Sequence, residues 1–507
     1  MNFFSDKQKQ PQDLKPQPLD KDLKRLNQLE HAAKEVGASV YSIGMGLLFL
    51  VGVWGFTFIY SGGEANGVLI AAAVIGGYMA LNIGANDVAN NVGPAVGSKA
   101  LSMAGALVIA AIFEAAGALI AGGEVVSTIS KGIISTKSID DVDIFIWAMM
   151  SALLSAALWV NLATFLSAPV STTHSIVGGV MGAGIAAAGI GAVNWPVMSA
   201  IAASWVISPV MGGVIAALFL MFIKSSILFR QDKIAAARRW VPVLVAIMAS
   251  VFSVYLMIKG LKRIWKPDVT MIMLVAAGVA AVSFVWSRRV VARASEGMEN
   301  KRKSVAKLFT LPLICSAALL SFAHGSNDVA NAVGPLAAIV SAVELGTISA
   351  KAPLPFWVLL IGAIGISIGL ALFGPKIIKL VGEKITKLNQ VRAFCVALSA
   401  AITVIIASGL GLPVSSTHIA IGAVFGVGFV REAIANRGGG GAGVGVISPD
   451  TLAGIDEGKL FKSWRKYRKR KLVRRQHMLS IAAAWVITVP ASALLAAVIY
   501  WLITHLI

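Results

Sequence analysis

Apolar runs of about twenty residues, the length that spans a bilayer, recur along the chain at 41–62, 66–97, 103–121, 143–167, 168–192, 196–223, 240–259, 270–287, 308–341, 354–374, 392–411, 412–430 and 478–504. They predict an all-α polytopic membrane protein with about 12–13 membrane segments. Gly and Pro interrupt several runs, which predicts broken helices and hairpins.

The stretches between the runs are basic: the N-terminal tail, 224–239, 288–307, 376–392 and 459–477. Ten Lys or Arg lie between Lys459 and Arg475, and seven between Arg288 and Lys307. Cytoplasmic loops carry this excess, so all five stretches are placed inside, with one crossing per apolar run. Lys262, Arg263 and Lys266 then fall outside, against the rule. The polar N-terminal tail lacks the apolar core of a cleavable signal.

One undecapeptide occurs twice. Gly84–Pro94 reads GANDVANNVGP and Gly325–Pro335 reads GSNDVANAVGP, identical at nine of eleven positions. A second pair follows: Pro169–His174 reads PVSTTH and Pro413–His418 reads PVSSTH. Asp87 and Asp328 are 241 residues apart, the hydroxyl triplets 244, and Gly178, Gly182 and Gly184 recur as Gly422, Gly426 and Gly428. WVISP from Trp205 is answered by WVITVP from Trp485. With the basic stretches inside, the two copies run in opposite directions. The chain therefore divides into a polar tail (1–40), an extra N-terminal membrane helix (41–62), a first inverted repeat (66–223), linking helices with a basic loop (224–307) and a second repeat (308–504). The second repeat carries a Gly-rich, basic cytoplasmic insert at 431–477. Matching Gly/Pro-interrupted segments in two inverted halves are a transporter signature, with the binding site where the halves meet.

An acid inside a membrane segment costs about 2.5–3.5 kcal/mol on insertion scales and marks function by default. In a helix, Asn86 and Asn90 share a face with Asp87 and Asn91, and Asn82 extends it. The second copy presents Asn327, Asp328 and Asn331. Such carboxylate and amide oxygens suit a hard cation or a proton, and Gly84, Gly93 and Pro94 (with Gly325, Gly334 and Pro335) are where the helices can open to add backbone carbonyls. The alternative is polar helix–helix packing, which does not call for two near-identical copies. Three hydroxyls after a proline, at a helix start, offer O–H and N–H donors to an anion. Capping alone needs one of the three. His174 and His418 can cap, pack or relay a proton. Glu114 is a third intramembrane acid with no counterpart in the second copy, open to coupling, gating or pairing with a buried donor.

Composition agrees: 57% of residues are hydrophobic and 13% charged. The formal charge of +20 lies mostly between the runs, so it reads as the positive-inside bias and not as nucleic-acid binding. The 459–475 run could also hold anionic lipid headgroups. Cys315 and Cys395, both within runs, read as buried core residues and not as a disulfide framework. An intramembrane hydrolase would need one oriented nucleophile–base pair, not two inverted copies. An anion channel is a further alternative.

GANDVANNVGPAVGSKAL, HGSNDVANAVGPLAAI, the paired PVSTTH and PVSSTH segments and FEAAGALIAGG resemble the inorganic phosphate transporter (PiT) family, over about 66–504. The resemblance implies a non-enzymatic carrier without cofactor in the cell membrane. It would import inorganic phosphate by symport with sodium ions or protons, through an elevator-like or rocking movement. It implies phosphate contacts from Ser171, Thr172, Thr173, Ser415, Ser416 and Thr417. Cation coordination would come from Asp87, Asn90, Asp328 and Asn331, with Asn86 and Asn327 beside them and sodium at Asp87 and Asp328. Sulfate carriers belong to the same family, so a sulfate permease is the alternative. The lipid bilayer is the one macroscopic partner required, and a homodimer is compatible with the pattern.

Overall fold

The computed structural model describes residues 40–63, 66–135, 138–139, 141–166, 168, 170–260, 267–348, 354–384, 388–437 and 475–506. The tail before residue 40, Pro169, the Lys262, Arg263 and Lys266 cluster and most of the 431–477 insert lie outside these residues. The described residues fall into two units that divide between Phe49 and Leu50, and the site belongs to the second.

Among the described residues the regular structure is helical, and the one β element is an isolated bridge, Ile134 to Val193. In chain order the helices are α1 (Val40–Tyr60), α2 (Gly67–Gly97), α3 (Met103–Ala121), α4 (Gly123–Lys131), α5 (Val142–Phe165), α6 (Thr172–Ala188), α7 (Trp195–Ile223) and α8 (Lys233–Tyr255). They continue as α9 (Val269–Ala294), α10 (Arg302–Leu308), α11 (Thr310–Asp328), α12 (Ala330–Leu345), α13 (Phe356–Lys384), α14 (Gln390–Gly409), α15 (Ser416–Arg437) and α16 (Arg475–Leu506). Among the described residues twelve helices are long and apolar enough to cross a membrane. The chain is a multi-pass membrane protein. Helix starts are set by side-chain oxygens that accept otherwise unpaired backbone N–H groups: Asn66, Ser102, Asp141, Ser171, Asn194, Asp232, Asp268 and Asn389 cap α2, α3, α5, α6, α7, α8, α9 and α14. The short α4 and α10 fall below the span length that the hydrophobic runs detect.

The two motif helices form the core. The most apolar window of α2 is 72% buried and that of α11–α12 is 83%, against 6% for α9 at the periphery. They run antiparallel. Gly76, eleven residues before Asp87, abuts Leu336, eight residues after Asp328.

Neither motif helix opens where the glycines and prolines suggest. α2 is unbroken through Gly84, Gly93 and Pro94, and the second helix is interrupted only at Val329. The glycines serve close approach instead: a Cβ on Gly84 would stand 2.0 Å from the Ile366 carbonyl oxygen, and one on Gly325 would stand 2.0 Å from that of Glu114. Small residues let helix backbones touch in this way. The prolines act without breaking the helix. Each lacks the N–H that would bond the carbonyl four residues earlier, so Pro94 and Pro335 release the carbonyls of Asn90 and Asn331.

The breaks lie in two hairpins, α5–α6 and α14–α15. Their turns touch the middle of the core helices. Asp328 lies 18 residues after Thr310 and 17 before Leu345, about 26 Å from either end at 1.5 Å per residue. The runs at 143–167, 168–192, 392–411 and 412–430 therefore meet in mid-bundle turns, which differs from one crossing per run. The repeated glycines seat the hairpin arms: Gly178 lies against Val489 of α16 as Gly422 lies against Pro209 of α7. Each half thus holds the other half's hairpin.

Gly84→Ala should lower the apparent melting temperature of the detergent-purified protein by several degrees, for a clash costing about 1–3 kcal/mol. Gly278→Ala, which meets nothing within 4 Å, should leave the melting temperature unchanged or raise it, because alanine favours a helix interior by up to about 1 kcal/mol. Equal melting curves for the two variants would contradict the packing described.

Candidate functional site

The two hairpin tips and the two motif helices converge on a buried polar cluster. Asp87 and Asp328 are each 1% exposed. Thr172 Oγ1 donates to Asp87 Oδ2 at 2.9 Å, and Ser416 Oγ donates to Asp328 Oδ2 at 3.3 Å. Those bonds lie within each half. Others cross between halves: Asn90 Nδ2 donates to Thr417 Oγ1 at 2.8 Å, and Asn331 Nδ2 to Thr173 Oγ1 at 3.1 Å and Thr172 Oγ1 at 3.2 Å. Thr417 also donates to Asp87 Oδ1 at 3.0 Å, and Thr173 to the Val414 carbonyl at 3.0 Å. The partners recur at the sequence offsets of 241 and 244, so the repeat in sequence is also a repeat of contacts.

The hydroxyl triplets divide their work. Ser171 and Ser415 accept the backbone N–H of His174 and His418, at 3.1 and 3.3 Å. One hydroxyl per triplet therefore caps its helix, while Thr172, Thr173, Ser416 and Thr417 reach the cluster. Capping the third helical residue leaves the N–H groups of the first two in each helix without an intrahelical partner, close to the same point.

Asn86 and Asn327 lie behind the cluster and anchor the hairpins. Asn86 donates to Thr164 Oγ1 at 3.0 Å. Asn327 donates to Ser408 Oγ at 2.9 Å and the Leu412 carbonyl at 3.1 Å, and accepts the Val414 N–H at 3.2 Å. Asn91 is paired with Glu114 at 2.7 Å, and Asn82 accepts from Asn161 at 3.1 Å.

Two titratable groups break the symmetry. His324, fully buried, places Nε2 at 3.0 Å from Asp328 Oδ2 and 3.8 Å from Asp87 Oδ2, and Nδ1 at 3.3 Å from Glu114 Oε2. Glu114, also fully buried, thus joins the site through His324 and Asn91. The sequence reading passes over His324. The available signal is its place one helical turn before Asp328, on the same face. Its counterpart in the first copy, 241 residues earlier, is Ile83. Three carboxylates and one imidazole share a volume closed to solvent. One ligand atom from each of Asp87, His324 and Asp328 lies within 4.8 Å of the others. Asp328 Oδ1 and Asn331 Oδ1 accept no hydrogen bond, which is costly for buried oxygens and fits oxygen donors for a cation.

His174 and His418 face one another across the hairpins with ring centroids 4.6 Å apart, and the Trp205 ring lies 3.8 Å from His174. Trp205 Nε1 donates to the Pro413 carbonyl at 3.2 Å. These rings brace the tips from behind. The cysteines are remote from this chemistry; Cys395 is buried and Cys315 half-buried, and neither forms a disulfide.

The model of the phosphate transporter family matches residues 83–496. A Helicobacter pylori protein provisionally named as a phosphate permease is 47% identical over 526 aligned positions, covering 94% of this chain and 98% of that protein. A Pyrococcus abyssi protein with the same provisional name is 38% identical over 363 positions, covering 72% and 89%. A solved structure of a sodium-dependent phosphate transporter superposes with a TM-score of 0.74 at 34% identity, covering 87% of this chain and all of that one.

Asn327→Ala removes three hydrogen bonds to the second hairpin tip, where Asn86→Ala removes one. Hydrogen exchange at the Val414 amide should accelerate at least tenfold in Asn327→Ala, as for about 1.4 kcal/mol of lost protection, and stay near wild type in Asn86→Ala. Unchanged exchange in Asn327→Ala would refute the anchoring role.

Proposed function

This chain belongs to the phosphate transporter family, and we propose that it carries inorganic phosphate across the membrane by symport with a cation. The observation that carries the reading is the convergence of three tip hydroxyls, Thr172, Ser416 and Thr417, on two buried carboxylates, with Thr173 beside them on Asn331.

Hydroxyl protons supply the coupling. Each hydroxyl has one proton to give. Thr172 and Thr417 give theirs to Asp87 and Ser416 gives its own to Asp328. A cation held by the carboxylates replaces those donors. The hydroxyls then turn toward an anion, joined by the unpaired N–H groups at the starts of α6 and α15 and by the positive ends of both helices. Phosphate cannot enter first, because it would add negative charge to a buried acidic cluster. Cation binding is thereby made a condition of phosphate binding.

Sodium is the favoured cation. Asp328 Oδ1 and Asn331 Oδ1 accept no hydrogen bond and are oxygens of the kind that suit a hard ion, and the 34%-identical structural neighbour is named as sodium-dependent. A proton is the second reading, favoured by His324 between Asp328 and Glu114. The two halves, with antiparallel motif helices, are taken as inverted repeats that expose the site alternately to each side. A sulfate permease is the remaining alternative on the anion side.

Asp87→Asn or Asp328→Asn should abolish concentrative phosphate uptake into proteoliposomes while leaving membrane insertion intact. Thr172→Ala/Thr173→Ala and Ser416→Ala/Thr417→Ala should chiefly raise the phosphate concentration for half-maximal uptake. Radiolabelled uptake under separately imposed sodium and pH gradients, with sulfate as competitor, reads both effects. Wild-type accumulation in either Asp variant would reject the cation sites, and normal apparent affinity in both double variants would reject the anion site. Passive flux without accumulation would indicate a channel.

A further inference from the structure

Three helices share a level at Gly212 of α7. A Cβ added there would meet Ile419 of α15 at 3.0 Å and Thr403 of α14 at 3.7 Å. α7 and α15 run parallel, because Pro209 lies against Gly422 and Gly213 against Gly426. α14 runs back along α15 as the other arm of their hairpin. Twelve residues further along α7 stands Lys224, twelve further along α15 stands Arg431, and eleven back along α14 stands Arg392. All three therefore lie beyond the shared level at the same end of the bundle, at heights that agree to within about 9 Å at 1.5 Å per residue. Arg302 opens α10, whose following residue Phe309 packs its ring 5.5 Å from that of Phe394, beside Arg392. Lys224, Arg392 and Arg431 are half-buried. Arg302, Arg392 and Arg431 each lie close enough to Lys224 to act on its charge, as Arg431 does on Arg392, and among the described residues no carboxylate is ion-paired with any of the four.

Basic residues at the cytoplasmic end of a membrane protein ordinarily snorkel into water. Here four of them, from four helices, are drawn together and three are partly withdrawn from solvent. Arg392 also sits in the first turn of α14, where the helix end is itself positive. An anion at this point offsets the repulsion, and a phosphate group matches it best: several acceptor oxygens for the planar fork of an arginine and the point charge of a lysine.

We propose that Lys224, Arg302, Arg392 and Arg431 form a second anion site, at the cytoplasmic end of the bundle, that binds a phosphate group. Two sources present that group here: the headgroup of an anionic phospholipid in the inner leaflet, and free inorganic phosphate. The site is remote from the central cluster, so the proposal stands whichever solute the centre carries.

The test is thermal unfolding of the full chain in neutral detergent, titrated with short-chain phosphatidylglycerol, with phosphatidylcholine of equal chain length, and with inorganic phosphate. Wild type should be stabilised by phosphatidylglycerol, by inorganic phosphate or by both, and not by phosphatidylcholine. Lys224→Gln/Arg392→Gln/Arg431→Gln should melt no lower than wild type without anion, because repulsion is removed. It should need at least about tenfold more of the stabilising anion for half its effect, a loss of about 1.4 kcal/mol. Should the triple variant fail to fold, Lys224→Gln alone should need about threefold more, or about 0.65 kcal/mol. A response to phosphatidylglycerol alone assigns the site to lipid. A response to inorganic phosphate that survives Ser416→Ala/Thr417→Ala but is weakened by the Gln variants assigns it to the soluble anion. No response to either anion, or equal responses in wild type and the Gln variants, would overturn the proposal.

Discussion

Three carboxylates buried around one imidazole are the constraint on which the rest of the structure depends. Asp87, Asp328 and Glu114 lie within reach of His324, with essentially no exposure to solvent. Even with His324 protonated, three ionised acids would leave an excess of two negative charges in a medium that solvates charge poorly. The protein meets part of this demand with hydroxyl donors from both hairpin tips and with the Asn90 amide of α2. Donors of that kind can be exchanged for a cation, whereas a fixed Arg or Lys in the same place would settle the charge permanently and leave nothing to couple.

The surrounding architecture follows from the need to bring flexible donors to rigid acids. Helices hold the acids, Asp87 within the unbroken α2 and Asp328 at the last residue of α11, because side chains on a helix have defined positions. Helix starts hold the hydroxyls, because a start supplies both unpaired N–H groups and a favourable dipole. Two helix starts can face the same point only if their chains turn in mid-bundle, and the hairpins do this. The exchange of hairpin arms between halves, Gly178 on Val489 and Gly422 on Pro209, ties the tips of each half to the framework of the other.

Much of this is legible in the chain, since the repeat is written in polar residues that an apolar segment would not otherwise carry. Asp87, Asn90, Asp328, Asn331 and the hydroxyl triplets stand out for that reason, and the structure gathers them. Other features are hidden by ambiguous chemistry. Glycine and proline signal breaks, yet Gly84 and Gly325 mark backbone contact, and Pro94 and Pro335 remove a donor without stopping the helix. Hydropathy cannot separate a hairpin arm from a crossing, because both need an apolar surface; this is why the 168–192 run reads as a span. His324 has no repeat partner and so escapes a search by symmetry. Glu114 is visible as an acid, but its link to Asp328 through His324 depends on the packing of α3 against α11, which no local pattern encodes. Ser171 and Ser415 look equivalent to their neighbours and differ only in which N–H they cap.

The central claim is that an anion enters this cluster only together with cations. It is tested most directly by equilibrium binding of phosphate to the purified chain over a series of sodium concentrations, each at several pH values. The account predicts that phosphate affinity rises with sodium, or with acidity if the proton is the partner, and that phosphate raises the affinity for that cation by the same factor. Phosphate binding of constant strength across both series would contradict it.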